Sequence, residues 1–427
     1  MIGGDHPAEL RTGVGIDRVT GAAADRIRFE REVLPPGTAI GLRLRYDGDT
    51  GAGLDALREL LSAVRADGLR VGGATRRGLG RLTCDDVTEQ VVDLRSRAGV
   101  LDWFRGKTAT AALRPRPGGA DGRLSIAVSW RPWRPVVVGA GGPAEDAQLV
   151  PVMTRSATGD GLVPVLPGAS VKGVLRSAAE RVVRTVLTPG LGIEGAVGLE
   201  PSALEPAPDF VRAMDELCAR VAVLEALFGS RRRAGALSVP DTAADAPLIN
   251  AKVWADYLAG AGTPNAAEGG AGRAAGWDRP RSHVAIDRWT GGGAGQLLFT
   301  VQELAGVHWP PIVLEVDTRA LHRALADDDR QVRAALVLLG CVIGMLLDGD
   351  VGFGHGTRRG LGEVEVTGLQ VLLPSGLGLP EFPETAADVD LDDLRELWWM
   401  WLADLAPEGG WVHALRPVAD ATGGAGR

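Results

Sequence analysis

Apolar and polar positions alternate at period two through Arg26–Leu34, and the Pro35-Pro36-Gly37 turn leads into a second alternating run, Thr38–Tyr46. Both are predicted strands. Leu54, Leu57, Leu60, Leu61 and Val64 then recur at helical spacing, predicting a helix that stops near Asp67-Gly68. A glycine-rich loop follows, with a further strand expected over Leu82–Val92. The same order returns later in the chain. Arg123–Trp130 opens a second unit as a cleanly alternating strand, and His283–Leu304 repeats the first strand region. Ile312–Val316 is another strand, Gln331–Leu347 is a strongly apolar helix, and Glu363–Leu373 is a closing strand. The apolar helix carries Arg333 and falls short of the roughly 20 residues a bilayer needs, so it is read as buried.

The two units are copies. Thr75–Gly80 and Thr357–Gly362 share the sequence Thr-Arg-Arg-Gly-Leu-Gly, and Ile16–Gly21 reads against Ile286–Gly291. The latter register continues without a gap to Phe29 and Phe299 at an offset of 270, which becomes 282 at the glycine loops. Two landmarks in the same order identify an internal repeat. The expected organisation is a partial module over 1–95, a linker over 96–122, a complete module over 123–373 and a Trp-rich tail over 374–427. Arg114–Gly119 is the most linker-like stretch, and Val138–Asp146 reads as loop. Within the second module, Ser170 is the expected N-cap of a helix whose apolar face is Val171, Val174, Leu175, Ala178, Val182 and Val183. A helix is expected over Phe210–Leu227 and a basic turn over Gly229–Gly235. A mobile insertion, rich in Ala, Gly, Asn and Pro, is expected over about 230–281, chiefly Asp241–Arg281. In the tail, Leu394, Leu397, Trp398, Trp399, Trp401 and Leu402 share one predicted helix as a docking face.

Composition narrows the function. The net charge of −8 argues against wholesale coating of nucleic acid and leaves room for a local basic track. Cys84, Cys218 and Cys341 are far apart and lack CxxC spacing, so neither a disulfide framework nor a zinc knuckle is indicated. A cytoplasmic location is expected, with no membrane partner, no metal site and no tightly bound cofactor.

Candidate chemistry sits in three places. The glycines of both loops free the backbone to reach positive φ, and two adjacent arginines can turn toward phosphate oxygens. The residues concerned are Arg76, Arg77 and Gly78 in the first loop, and Gly354, His355, Gly356, Arg358, Arg359 and Gly360 in the second. A glycine turn with solvated arginines is the plain alternative, but turn geometry alone does not require Arg-Arg twice. The third place is the helix start at Ser170, Lys172 and Gly173, followed by Arg176, where unpaired N–H groups and the helix dipole favour an anion. Lys172 precedes Gly173 and no Ser or Thr follows it, so this is not a Walker A loop.

Pro167–Arg176, Pro-Gly-Ala-Ser-Val-Lys-Gly-Val-Leu-Arg, resembles the PGSSLKGxxR signature of RAMP-superfamily proteins, the backbone subunits of type III CRISPR effector complexes. Ile286-Asp287-Arg288 and the loop ending Arg358–Gly362 are similar to that family's later motifs, in the expected order. The resemblance covers about Arg123–Leu373 fully, whereas the first copy, about Gly13–Leu94, resembles only the latter half of such a domain. It implies an α+β fold with ferredoxin-like (RRM-like) modules, one partial and one complete, carrying glycine-rich loops and long insertions. It also implies that Ser170, Lys172, Gly173, Arg176 and both glycine loops touch guide RNA. The His283–Leu304 segment, including Ile286, Asp287, Arg288 and Trp289, would be the family's thumb hairpin. The implied partners are guide RNA, target RNA and other RAMP subunits.

Target-cleaving members carry an Asp two residues before a Pro-Val pair. Here the pair is Pro151-Val152 and the aligned position is Leu149, so the candidate catalytic acid is Asp146, three residues earlier beside Glu145, with Mg2+ as the candidate aid to cleavage. A rival reading makes the chain a guide-precursor-processing endoribonuclease with His355 as its acid-base group. A third makes it a non-catalytic assembly or capping subunit that docks through Trp398–Trp401.

Overall fold

Each copy carries one long hairpin, and the two hairpins share their register. The computed structural model describes residues 2–3, 8–17, 23–48, 51–107, 109–112, 122–140, 147–156, 161–191, 218, 221–246, 249–260, 280–304, 306–372, 387–389 and 415. The first copy contains β1 (Ile2–Gly3), β2 (Glu9–Ile16), β3 (Ala23–Val33), β4 (Ala39–Ile40), α1 (Ala52–Asp67), β5 (Leu69–Arg70), β6 (Arg81–Leu82) and β7 (Thr88–Val91). After it come α2 (Arg97–Phe104) and β8 (Ala109–Ala112), so the expected linker contains a helix, capped by Ser96 Oγ accepting from Gly99 N at 3.0 Å, and a strand paired to β7.

The second copy begins with β9 (Arg123–Pro132), β10 (Met153–Arg155), β11 (Leu162–Leu166) and α3 (Gly168–Leu191). It continues through α4 (Ala222–Phe228), β12 (Leu237–Ser238), β13 (Thr242–Ala243), α5 (Ala251–Leu258), β14 (Arg281–Ile286) and β15 (Gly293–Val301). It ends in β16 (Ile312–Asp317), α6 (Thr318–Ala324), α7 (Asp329–Leu347), β17 (Val364–Leu372) and β18 (Ala387–Val389). The hairpin β2–β3 pairs from Glu9↔Val33 to Ile16↔Ala23, and from Arg11↔Arg31 onward it carries an irregularity between Val14 and Ile16. At every corresponding position β14–β15 repeats it, from Arg281↔Val301 to Ile286↔Gly293 with the irregularity between Val284 and Ile286.

The core belongs to the second copy. An antiparallel sheet of order β12-β16-β9-β17-β18 buries Leu124, Ile126, Val128 and Trp130 from alternate positions of β9. Helix α7 covers this face with Leu336, Leu339, Val342 and Ile343, and is started by Asp328, whose Oδ1 accepts from the amides of Arg330 and Gln331. By length and composition α7 meets the test for a membrane span, but most of it is packed inside the protein.

Three expectations change. Thr38–Tyr46 is strand only at β4, because a strand needs a paired neighbour and β1 reaches only Ala39 and Ile40. For the same reason Leu82–Val92 is reduced to β6 and β7. Within the expected mobile insertion, the described residues 230–246 and 249–260 include regular elements: α5 buries Trp254 and Tyr257, one turn apart, behind an Asn250 cap, and β12 joins the main sheet. Two aromatic anchors outweigh the polar average of that stretch. Residues 261–279, most of Phe210–Arg220 and the Trp398–Trp401 face lie outside the described residues.

The first copy is clamped to the second by charge. On β16, Glu315 and Asp317 point away from the buried face; Arg70 pairs with Glu315, Arg81 reaches Glu315 at 3.5 Å, and Arg76 meets Asp317 at 3.1 Å. Arg70 also donates to Ser238 Oγ at 2.6 Å, while Glu9 accepts from Thr154 Oγ1 at 3.1 Å and from Arg155 N at 2.7 Å. Burial lowers the pKa of Arg70 although Glu315 opposes it, so the guanidinium depends on its partner. Glu315→Gln should therefore loosen the first copy at a cost of about 1–3 kcal/mol. The check is limited proteolysis, where cleavage within 8–91 should accelerate several-fold while the fragment beginning near Gly122 stays intact.

Candidate nucleic-acid interface

The two glycine loops have one backbone. Val71 N donates to Gly80 O and Phe353 N to Gly362 O, both at 2.9 Å, while Arg77 N meets Ala74 O at 2.8 Å and Arg359 N meets Gly356 O at 2.7 Å. Positive φ falls at the same four places: Gly72 and Gly354, Ala74 and Gly356, Gly78 and Gly360, Gly80 and Gly362. At Gly80 and Gly362 a Cβ would fall on the carbonyl oxygen of Val71 or Phe353, so glycine is required by space as well as by φ. The shared sequence thus encodes a shared shape, and that shape presents the arginine pair.

The surroundings differ. The first loop sits against the start of α3, where Gly78 abuts Asp241. Asp241 Oδ1 accepts from Gly168 N at 2.8 Å and Arg11 lies 3.4 Å from its other oxygen. Burial raises the Asp241 pKa, against the pull of the Gly168 amide and Arg11. An internal carboxylate, 73 residues on, therefore caps the helix where Ser170 was the expected cap and an external anion the expected ligand. Ser170 is half-buried, and Gly173 faces open space.

Lys172 lies beneath the loop and is buried, with Nζ donating to Leu237 O at 2.5 Å. Its pKa is pushed down to about 7, first by burial and then by Arg77, Arg76 and Arg176. Arg176 spends its donors on Glu180 at 2.8 Å, Gly229 O at 2.8 Å and Cys218 Sγ at 3.2 Å. Arg76 is held by Asp317, whose carboxylate, despite burial, is kept below its usual range by the Ala320 amide and Arg76. Arg77 is different. It keeps an exposed surface, and partial enclosure together with Arg31 and Arg176 lowers its pKa, with no carboxylate among the described residues acting on it. Arg31 in turn lies over the Phe29 ring, 4.7 Å from its centroid.

In the second loop His355 N donates to Val137 O at 2.6 Å, and Arg359 Nη2 lies 2.9 Å from His355 Nε2. Burial, then Arg359 and His283, lower the His355 pKa, so the neutral ring accepts from Arg359. Arg359 also lies over the Phe299 ring, 5.2 Å from its centroid, and His283 stacks on the same ring with 5.3 Å between centroids. Glu303 approaches His283 at 3.5 Å and Arg281 at 3.2 Å. This aromatic and basic group at the hairpin base was not legible in sequence, because its members come from three separate segments. Arg358 and Gly360 are exposed beside it.

At the hairpin tip, Asp287 Oδ1 accepts from Trp289 N at 2.7 Å and Thr290 N at 3.0 Å, an Asx turn that lowers the Asp287 pKa. Arg288 and Ile286 are exposed, and Trp289 is 97% exposed. Asp146 lies outside the described residues. Among the described residues no group of three or more His, Cys, Asp or Glu has metal-binding geometry, and no step is assigned to a metal ion.

Gly362→Ala should cost about 1–3 kcal/mol, since it adds a Cβ against Phe353 O at φ +70°. A urea titration followed by tryptophan fluorescence would register the effect, and Gly173→Ala, which meets open space, is the comparison expected to change little.

Comparison with known proteins gives one family. No curated protein matches the chain. The model described as the RAMP superfamily matches residues 4–83, which hold the first hairpin, α1 and the first glycine loop, and residues 135–253, which hold α3 and the segment through Asp241. One match in each copy supports a RAMP protein with tandem modules.

Proposed function

We propose that this chain binds guide RNA through its sugar-phosphate backbone as a backbone subunit of a type III CRISPR interference complex. The RAMP match implies CRISPR-associated RNA binding in general, within multi-subunit complexes. The observation that carries the reading is the repeated placement of the loop's second arginine. Arg77 and Arg359 sit on the same loop backbone, each beside the base of a hairpin bearing the same phenylalanine, Phe29 or Phe299. Such a pair offers guanidinium groups to phosphates and rings to bases without reading sequence. The exposed Trp289 and Ile286 suit a thumb that inserts between bases.

The sheet order β12-β16-β9-β17, with α3 following β9 and α7 preceding β17, supports a ferredoxin-like second module. The partners are guide RNA, target RNA and neighbouring RAMP subunits. In this proposal Asp146 aligns a 2′-hydroxyl of the target, and Asp146→Ala would abolish cutting while leaving guide binding unchanged. The second reading, guide processing, draws on the neutral His355 beside His283 and Arg359. It requires that the isolated chain cut repeat RNA and cease to do so on His355→Ala.

Arg77→Ala and Arg359→Ala should each weaken binding to RNAs of unrelated sequence alike, lowering the log-log salt slope by about 0.7 for each phosphate no longer neutralised. Unchanged affinity in both variants would sink the phosphate reading. Lys172 adds a pH signature. A phosphate held by Arg77, whose charge already depresses the pKa of the enclosed Lys172, would raise that pKa from about 7, so RNA binding takes up a proton above that pH. Affinity should then be highest below pH 7 and fall above it with a slope approaching about tenfold per pH unit, a dependence absent from Lys172→Met.

A further inference from the structure

Trp130 and Trp133 lie three residues apart where β9 ends, and their surroundings are opposite. Trp130 is buried, stacked on Trp309 with 5.8 Å between ring centroids, and its Nε1 donates to Pro310 O at 3.2 Å. Trp133 is 62% exposed. A single exposed hydrophobe needs no explanation in itself. What sets Trp133 apart is how its backbone is held. Trp133 N and Arg134 N both donate to Glu363 O, at 2.9 and 3.1 Å, and two residues on Pro135 O accepts from Gly362 N at 2.8 Å. Val137 O then accepts from His355 N at 2.6 Å. The segment Trp133–Val137 is therefore the seat of the second glycine loop, and the indole stands at the foot of the loop that carries Arg358 and Arg359.

The side chains flanking the indole are basic, but their charge is already matched. Arg131 makes a two-pronged pair with Glu365 across β9 and β17, Nε to Oε2 at 2.8 Å and Nη2 to Oε1 at 3.0 Å. Arg134 lies 3.9 Å from Glu363. Two arginines thus face two glutamates, and the foot of the loop offers a ring face with little net charge. The same charged neighbours rule against an apolar patch of the kind a protein partner covers, since the indole stands among Arg131, Arg134 and Glu363, all exposed.

We propose that Trp133 is a stacking platform for one nucleobase of a single-stranded RNA whose sugar-phosphate backbone lies along the second glycine loop. The inference rests on the RNA-binding reading and adds to it a base contact that does not run through the arginines. Every base has a π face, so stacking on an indole tolerates any sequence, as the phosphate contacts do. Because the backbone under the indole is fixed by the hydrogen bonds to Glu363 O, the platform needs little ordering when the base arrives.

The test is binding of fluorescently labelled single-stranded RNAs of unrelated sequence to the full chain, read by anisotropy across a salt series. Trp133→Ala should weaken binding about tenfold for every sequence while the log-log salt slope stays that of the parent, because a base contact is lost and no phosphate contact is. Trp133→Phe should restore most of the affinity. Trp103→Ala, at another exposed tryptophan, on α2, is the comparison expected to leave binding unchanged. Trp133 is exposed, so its variants should fold as the parent does, which circular dichroism checks. Unchanged affinity in Trp133→Ala, where Arg359→Ala still weakens binding, overturns this inference alone and leaves the indole to a protein partner. A salt slope that falls together with the affinity also overturns it, since Trp133 would then act by placing the arginines. Unchanged affinity in both Trp133→Ala and Arg359→Ala overturns this inference together with the phosphate reading of the second loop.

Discussion

A central strand can be buried only if both of its edges are paired, and β9 is the strand on which this protein meets that condition. Its hydrogen bonds go to β16 on one side and β17 on the other, so Val128 can lie fully buried with no polar backbone group stranded. The segment that leaves β9 then supplies Pro135 O and Val137 O to Gly362 N and His355 N, which anchor the second glycine loop. Core, sheet order and loop position in the second copy therefore share one cause. In the first copy, where no described strand corresponds to β9, residues of the same pattern join no such sheet.

The first copy keeps its place by other means. Its attachment to β16 and to the start of α3 is largely ionic, through Arg70, Arg76, Arg81 and Arg11 facing Glu315, Asp317 and Asp241. Half-buried pairs of this kind favour one geometry over others more than they add stability. They also sort the basic residues. Arg76 is neutralised in the clamp, Arg176 is satisfied by local acceptors, and Lys172 is enclosed, so positive charge left for a ligand converges on Arg77 and Arg31.

Much of the second copy was legible in the sequence. Alternation marked β9, a long apolar run marked α7, and the repeat set the Ile16–Phe29 segment and both glycine loops in register with their counterparts, whereas β2, the strand that β3 pairs with, was not foreseen. Pattern is a reliable guide where each element buries one face against a neighbour that is itself present. It failed where the neighbour decided the outcome. Leu42 and Leu44 have the same period as Leu314 and Val316 but no described partner strand to convert it into a sheet. The cap of α3 was missed because Asp241 acts across 73 residues, and a local motif offered Ser170 instead. The helix Ala251–Leu258 was missed because Trp254 and Tyr257 were averaged with the Ala and Gly around them.

The same six residues, Thr-Arg-Arg-Gly-Leu-Gly, meet different surroundings in the two copies while their backbone stays the same. Backbone constancy follows from hydrogen bonds and positive φ values that lie within the loop itself, so it survives a change of neighbours. Side-chain roles do not survive it. The first arginine is tied to Asp317 in one copy, while in the other the second arginine rests between His355 and Phe299. A motif of this kind fixes where a cation is held; what that cation is free to bind is fixed by the carboxylates and rings that the rest of the chain places beside it.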